Sequence, residues 1–213
     1  MNKIPQGLYG ITAENFANGK SNIECVKEMI KAGIKIIQYR EKNKSVKEKL
    51  QEARILAKIC QENSVTFIVN DHADIALLCN ADGVHVGQDD MDVSDVRTLL
   101  GDNKIIGVST HNIKQAKKAQ EEGADYIGVG PIHATKTKDT TPVGCAYLED
   151  VTTQINIPFV VIGGIKELNI QEVINRGAKT ICLVSEIVSS SNIIKKVNSL
   201  QAIIESSNSN RSH

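Results

Sequence analysis

Apolar positions along the chain come in short runs, and most runs stop abruptly in polar or glycine residues. They fall near 7–12, 34–40, 65–70, 82–86, 105–108, 125–129, 159–162 and 180–184. These runs are continuous rather than alternating, as expected of strands in a parallel sheet covered on both faces. Between them the spacing turns helical, over 22–32, 45–62, a short piece from about 72, 92–100, 112–122, roughly 146–155, 167–176 and 190–205. The last is the clearest, with Ile193, Ile194, Val197, Leu200, Ile203 and Ile204 on one face. Ser21-Asn-Ile-Glu24 and Ser45-Val-Lys-Glu48 have the form of capping boxes, and Gly33, Gly123 and Gly177 sit where helices should end.

Eight strand–helix alternations in about 200 residues favour a single-domain (β/α)8 TIM barrel, an α/β fold, over an open doubly wound sheet. No Gly-x-Gly-x-x-Gly follows the first strand, so nothing points to a dinucleotide site. No stretch has linker composition. The expected organisation is one catalytic domain over 1–205 and a flexible polar tail over 206–213.

Composition narrows the function. Lys plus Arg and Asp plus Glu are each 25, so formal charge is zero and a general nucleic-acid binder is disfavoured. The core should be aliphatic, because aromatics are only 3% and Trp is absent. Five scattered cysteines without a Cys-x-x-Cys pair read as reduced thiols of a cytoplasmic protein. Neither a membrane span nor a signal-peptide core is expected. A homo-oligomer is compatible with all of this.

The places where the runs stop carry the chemistry. Alternation points Gln38, Arg40 and Lys42 one way and Tyr39 and Glu41 the other. An amide and two cations at a strand end suit a polar ring and a phosphate, although a solvated charge cluster reads equally well. Asn70-Asp71 ends the third run and Gly87-Gln88-Asp89-Asp90 follows the fourth. Carboxylates from two loops suit Mg2+, yet Asp71 could merely cap the next helix, and Asp89, Asp90 and Asp92 are chemically equivalent. Thr135-Lys136-Thr137-Lys138 is too cationic for a core segment. Gly163-Gly164 and Val184-Ser185 close the last two strands, where barrel enzymes often bind phosphate through backbone N–H groups. The five histidines form no metal set. His85 reads as a barrel-core residue, and His111 as a candidate acid/base or a plain helix-start residue.

Taken together, the chain from about Leu8 to Ile204 resembles the thiamine phosphate synthase family. The resemblance rests on Gln38-x-Arg40-x-Lys42, Asn70-Asp71-His72-Ala73-Asp74, Asp82-Gly83-Val84-His85-Val86-Gly87-Gln88-x-Asp90, Gly107-Val108-Ser109, Gly128-x-Gly130-Pro131-Ile132, Thr135-x-Thr137-Lys138, Gly163-Gly164 and Val184-Ser185. It implies a barrel that couples a pyrimidine methyl diphosphate to a (carboxy)thiazole phosphate, releasing pyrophosphate. By the same resemblance, Gln38, Tyr39, Arg40, Glu41, Lys42, Asn70, Ser109 and Lys138 would hold the pyrimidine diphosphate. Thr135, Lys136, Thr137, Gly164, Val184 and Ser185 would hold the thiazole phosphate, and Asp71 and Asp90 would bind Mg2+. Arg40, Lys42 and Lys138 would stabilise the leaving pyrophosphate. His133-Ala134 stands where an aromatic and a proline are common in that family, and Cys182 replaces a usual small polar residue. The rival readings are a thiazole tautomerase using His111, which has no diphosphate or metal to bind, and a non-enzymatic precursor-sensing barrel.

Overall fold

A computed structural model describes residues 4–135, 137 and 141–209. The strands are β1 (Gly7–Leu8), β2 (Gly10–Ile11), β3 (Ile36–Tyr39), β4 (Thr66–Asn70), β5 (Gly83–Val86), β6 (Ile105–Thr110), β7 (Tyr126–Val129), β8 (Phe159–Ile162) and β9 (Thr180–Cys182). All pair in parallel, in the order β1-β9-β8-β7-β6-β5-β4-β3-β2. The first apolar run is therefore one strand divided at Tyr9. Its first half pairs with β9 (Gly7 opposite Thr180) and its second with β3 (Gly10 opposite Ile37), which closes the ring. The (β/α)8 barrel predicted from the alternation is the architecture observed.

Helices α1 (Asn22–Lys31), α2 (Val46–Glu62), α3 (Ala73–Leu78), α4 (Val93–Leu100), α5 (Ile113–Glu121), α6 (Gly144–Gln154), α7 (Ile170–Asn175), α8 (Val184–Val188) and α9 (Ile193–Ser209) surround it. Both capping boxes form: Ser21 and Ser45 accept from the N–H of Glu24 and Glu48, whose carboxylates reach back to the cap N–H. Two expectations about element ends are corrected. The last strand stops at Cys182, and Val184 and Ser185 instead open the short α8. The polar stretch set apart from 206 onward is helix as far as Ser209. There Ser207 is buried and its hydroxyl donates to Ile203 O and to Gln171 of α7, so a polar sequence still finds partners. The rest of the expected tail lies outside the described residues.

Burial splits the apolar residues into two layers. Ile11, Ile36, Ile68, Ile105, Val160 and Cys182 fill the barrel interior with Tyr9 and Tyr126, while their strand neighbours pack outward against the helices. At the N-terminal ends of strands, Asp82 accepts from the Phe67 N–H at 2.7 Å and Asp125 from the Ile106 N–H at 2.8 Å. Asp82, part of one family-like motif, thus serves the frame at the face opposite the chemistry.

Candidate active site

The C-terminal ends of the strands surround a cavity of about 710 Å³. Strand β3 sets one wall. Gln38 lies inside the barrel, and Arg40 and Lys42 continue the same face to the rim, so all three reach the cavity. Arg40 is held at both ends: its N–H donates to Thr12 Oγ1 at 2.8 Å, and its guanidinium reaches across the cavity rim to Thr137 O at 3.4 Å.

Tyr39 and Glu41 point the other way, as strand alternation requires, and neither is among the residues that line the cavity. Tyr39 is buried under α2 and donates its hydroxyl to Glu52 at 2.7 Å. Glu41 joins Glu14, Glu52, Asn22 and Lys44 behind the strand. The Asn22 amide donates to all three carboxylates, and the Lys44 ammonium pairs with each of them. Burial alone would raise the Glu41 carboxyl. Hydrogen bonds from the Asn43 N–H and Asn22, with the Lys44 charge, outweigh it and hold the group low. This network braces the strand that carries the cations.

Asp71 and Asp90 come from the loops after β4 and β5 and stand side by side at the rim. Asp71 does not cap α3, whose first turn has no side-chain cap. Instead it adopts φ +63°, a conformation non-glycine residues reach at a cost, and meets the Lys42 ammonium at 2.5 Å. Asp90 folds back so that its carboxylate accepts the Gly87 N–H at 2.7 Å. Two adjacent carboxylates at a cavity mouth repel unless a cation or proton lies between them, so this oxygen pair fits a hard divalent ion.

Burial would raise the Asp71 carboxyl, but the Lys42 ammonium overrides that and holds it below the usual carboxylate range. A depressed folded-state value adds stability above about pH 4 and loses it as pH falls through that value. Lys42→Met should therefore be less stable than the parent at pH 7, with the gap closing in acid. Urea titrations that give the same gap at pH 7 and at about pH 2 would refute the pairing.

The cavity floor is a chain of hydrogen bonds that the sequence did not reveal. The Gln38 amide donates to Tyr9 Oη at 3.1 Å, and Tyr9 Oη lies 2.8 Å from Tyr126 Oη. Tyr126 Oη is 2.9 Å from His85 Nδ1, and His85 Nε2 is 2.9 Å from Ser109 Oγ. Either tyrosine can donate in the Tyr9–Tyr126 pair, and the roles of the His85 nitrogens follow its tautomer. A run in which each hydroxyl passes its hydrogen toward His85 would make Nδ1 the acceptor and Nε2 the donor to Ser109. Both tyrosine hydroxyls are pushed well up by burial and remain neutral donors. Only clustering in space could have found Tyr9 and Tyr126, since neither lies in a polar strand stop.

Asn70 also lines the cavity, between the anion wall and the acidic rim. Thr135, Thr137, Gly163 and Val184 line the opposite side. Gly164 lies one residue behind Gly163, packed so closely that a Cβ there would come within 2.5 Å of Ala134 O. Ser185 is exposed in α8 beside Val184, outside the cavity lining. Lys136 and Lys138 lie outside the described residues. His111 faces the cavity and places Nδ1 2.6 Å from Gly130 O, so Nδ1 carries the hydrogen and Nε2 is the atom left available.

A profile of the family described as thiamine monophosphate synthase matches residues 8–187. The chain belongs to the thiamine monophosphate synthase family. It is an enzyme, a transferase of thiamine biosynthesis. A thiamine-phosphate synthase of Pelotomaculum thermopropionicum is 57% identical over 199 residues, covering 92% of this chain and 91% of that one. Another, from Lawsonia intracellularis, is 55% identical with 92% of each covered. Among solved structures, a thiamine phosphate pyrophosphorylase from Pyrococcus furiosus superposes with a TM-score of 0.86 at 32% identity, over 94% of this chain and 96% of that one. A 3-hexulose-6-phosphate synthase, 19% identical with a TM-score of 0.66, shares the fold alone. Like other synthase-family members this one acts on small molecules, and no helix among its described residues is long and apolar enough to cross a membrane.

Proposed function

We propose that the cavity joins an aminopyrimidine methyl diphosphate to a thiazole phosphate, with the diphosphate against β3 and the thiazole phosphate across from it. The observation that carries this reading is the convergence of Gln38, Arg40 and Lys42 on a wall that faces the Asp71–Asp90 pair. Gln38, Asn70 and the Ser109 hydroxyl would hold the aminopyrimidine, whose ring nitrogens and amino group need such partners. Arg40 and Lys42, with Lys138, would receive the charge that develops as the carbon–oxygen bond breaks and its electron pair leaves with pyrophosphate. Asp71 and Asp90 would hold Mg2+, which supplies further charge neutralisation on the departing oxygens.

The thiazole phosphate would rest on Thr135, Lys136 and Thr137 and on the backbone at Gly163-Gly164 and Val184-Ser185. Held there, the thiazole nitrogen lone pair forms the new carbon–nitrogen bond at the same methylene carbon. Proximity does most of the work, and no protein nucleophile is required. That fits the cysteines. Cys182, inside the barrel, has its thiol pushed up by burial and is no nucleophile at neutral pH. Five free cysteines also favour the cytoplasm as its compartment.

Incubation with both substrates tests the reading. Pyrophosphate should appear in step with thiamine phosphate when Mg2+ is present and should stop when the metal is chelated. Absence of pyrophosphate with metal and both substrates present would overturn it, and is the outcome a tautomerase or a sensor would give.

A further inference from the structure

Three side chains outside the cavity bring three kinds of metal donor together. His133 lies in the turn after β7, two residues before Thr135. Cys145 is in the first turn of α6, and Glu172 is in α7. Their donor atoms all lie within 4.8 Å of one another. His133 Nε2 is 3.5 Å from Glu172 Oε2, and Cys145 Sγ is 3.3 Å from Glu172 Oε1. We propose that His133, Cys145 and Glu172 form a site for a borderline transition-metal cation, Zn2+ by ligand type, separate from the Asp71–Asp90 pair.

Four observations carry the assignment. First, tetrahedral zinc bonded at its usual distances to nitrogen, sulfur and oxygen sets neighbouring donors roughly 3.3–3.6 Å apart, and the Glu172 carboxylate lies 3.5 Å from His133 Nε2 and 3.3 Å from Cys145 Sγ. Second, His133 Nε2 is buried and forms no hydrogen bond despite its nearness to Glu172. A nitrogen withdrawn from water without a partner wants a ligand. Third, the turn holding it is fixed: the His133 N–H donates to Gly163 O at 3.0 Å, so the imidazole is carried on a frame and not on a loose loop. Fourth, the charges balance. One thiolate and one carboxylate neutralise a divalent ion, while Arg176 is engaged by Glu149 at 2.9 Å and lies 3.5 Å from Glu172.

Imidazole with thiolate excludes Mg2+ and Ca2+, which take oxygen, and selects zinc and its neighbours. On binding, the Cys145 thiol releases its proton to solvent and the sulfur–metal bond forms, with water completing the fourth position. The ion would tie the β7 turn to α6 and α7. The other donor cluster, Glu14, Glu41 and Glu52, makes no comparable case, since the Lys44 ammonium already occupies it.

The test uses the full chain, free of any histidine tag and stripped with chelator, then titrated with Co2+. Expected are a thiolate-to-cobalt absorption band in the near ultraviolet that saturates at one equivalent per chain, and its loss on adding Zn2+. Cys145→Ala and Cys145→Ser should abolish the band, and His133→Phe should weaken binding at least tenfold. All three should still release pyrophosphate with Mg2+. Co2+ held by the Asp71–Asp90 oxygens gives no thiolate band, so Asp90→Asn should leave the signal intact. No band in the parent, or one that survives both Cys145 variants, overturns the site.

Discussion

Asp90→Asn should lower turnover by at least a hundredfold while leaving the urea midpoint close to that of the parent. The amide keeps an oxygen that can accept the Gly87 N–H, so the loop that positions residue 90 is retained. What it removes is the charge that would hold a divalent cation beside Asp71. A cation stabilising a departing oxyanion contributes several kcal/mol to the barrier, and each 1.4 kcal/mol or so is worth a factor of ten. Asp90→Ala should lose as much activity and, in addition, some loop stability, because the Gly87 N–H then has no side-chain acceptor. The decisive comparison is the dependence on Mg2+ concentration. If Asp90→Asn reaches parental rates at the same limiting Mg2+, residue 90 is not a metal ligand.

Gly107→Ala should be strongly damaging on the barrel wall. A Cβ there would lie 2.1 Å from Tyr126 Cζ and 2.5 Å from His85 Nδ1, contacts no side-chain carbon tolerates. Both partners are locked inside the barrel, so relief must come from moving the ring, the imidazole or strand β6. Overpacking of that kind costs roughly 1–3 kcal/mol or more. The same displacement should break the path from Tyr126 through His85 to Ser109, so turnover should fall at least tenfold beyond what lost folded protein explains. Tyr126→Phe separates the two effects. It introduces no clash but strips the hydroxyl that Tyr9 and His85 Nδ1 both meet, at a cost of about 1–3 kcal/mol. Unchanged turnover per folded molecule in Tyr126→Phe would mean that the chain of hydrogen bonds supports the fold and not the chemistry.

These two positions show where sequence reading reached and where it stopped. The barrel was legible because eight apolar runs alternate with helical spacing, and because caps such as Ser21 and Ser45 mark their boundaries locally. The direction of Gln38, Arg40 and Lys42 was legible too, since a strand's two-residue period is fixed by its backbone. Family resemblance then swept in Tyr39 and Glu41 as neighbours, although that same period turns them away from the cavity. Gly107 had appeared only as part of a motif. Its reason lies in Tyr126, on the next strand, which no local pattern connects to it. The His133–Cys145–Glu172 cluster was hidden for the same reason, its members coming from a turn and two helices. Val184 and Ser185 were read past the strand end because an apolar run does not reveal where β9 gives way to α8.

The division of the first strand at Tyr9 bears on how the chain is made. Gly7 leaves the ribosome well ahead of its partner Thr180, with most of the barrel still to be made between them. At ordinary rates of synthesis the wait is roughly nine to thirty-five seconds. Throughout it the growing sheet keeps an open edge on β1, next to apolar residues that later line the barrel. Closure is thus a late event of biosynthesis, and chaperone demand should fall sharply for chains released past β9 compared with chains stalled just before it.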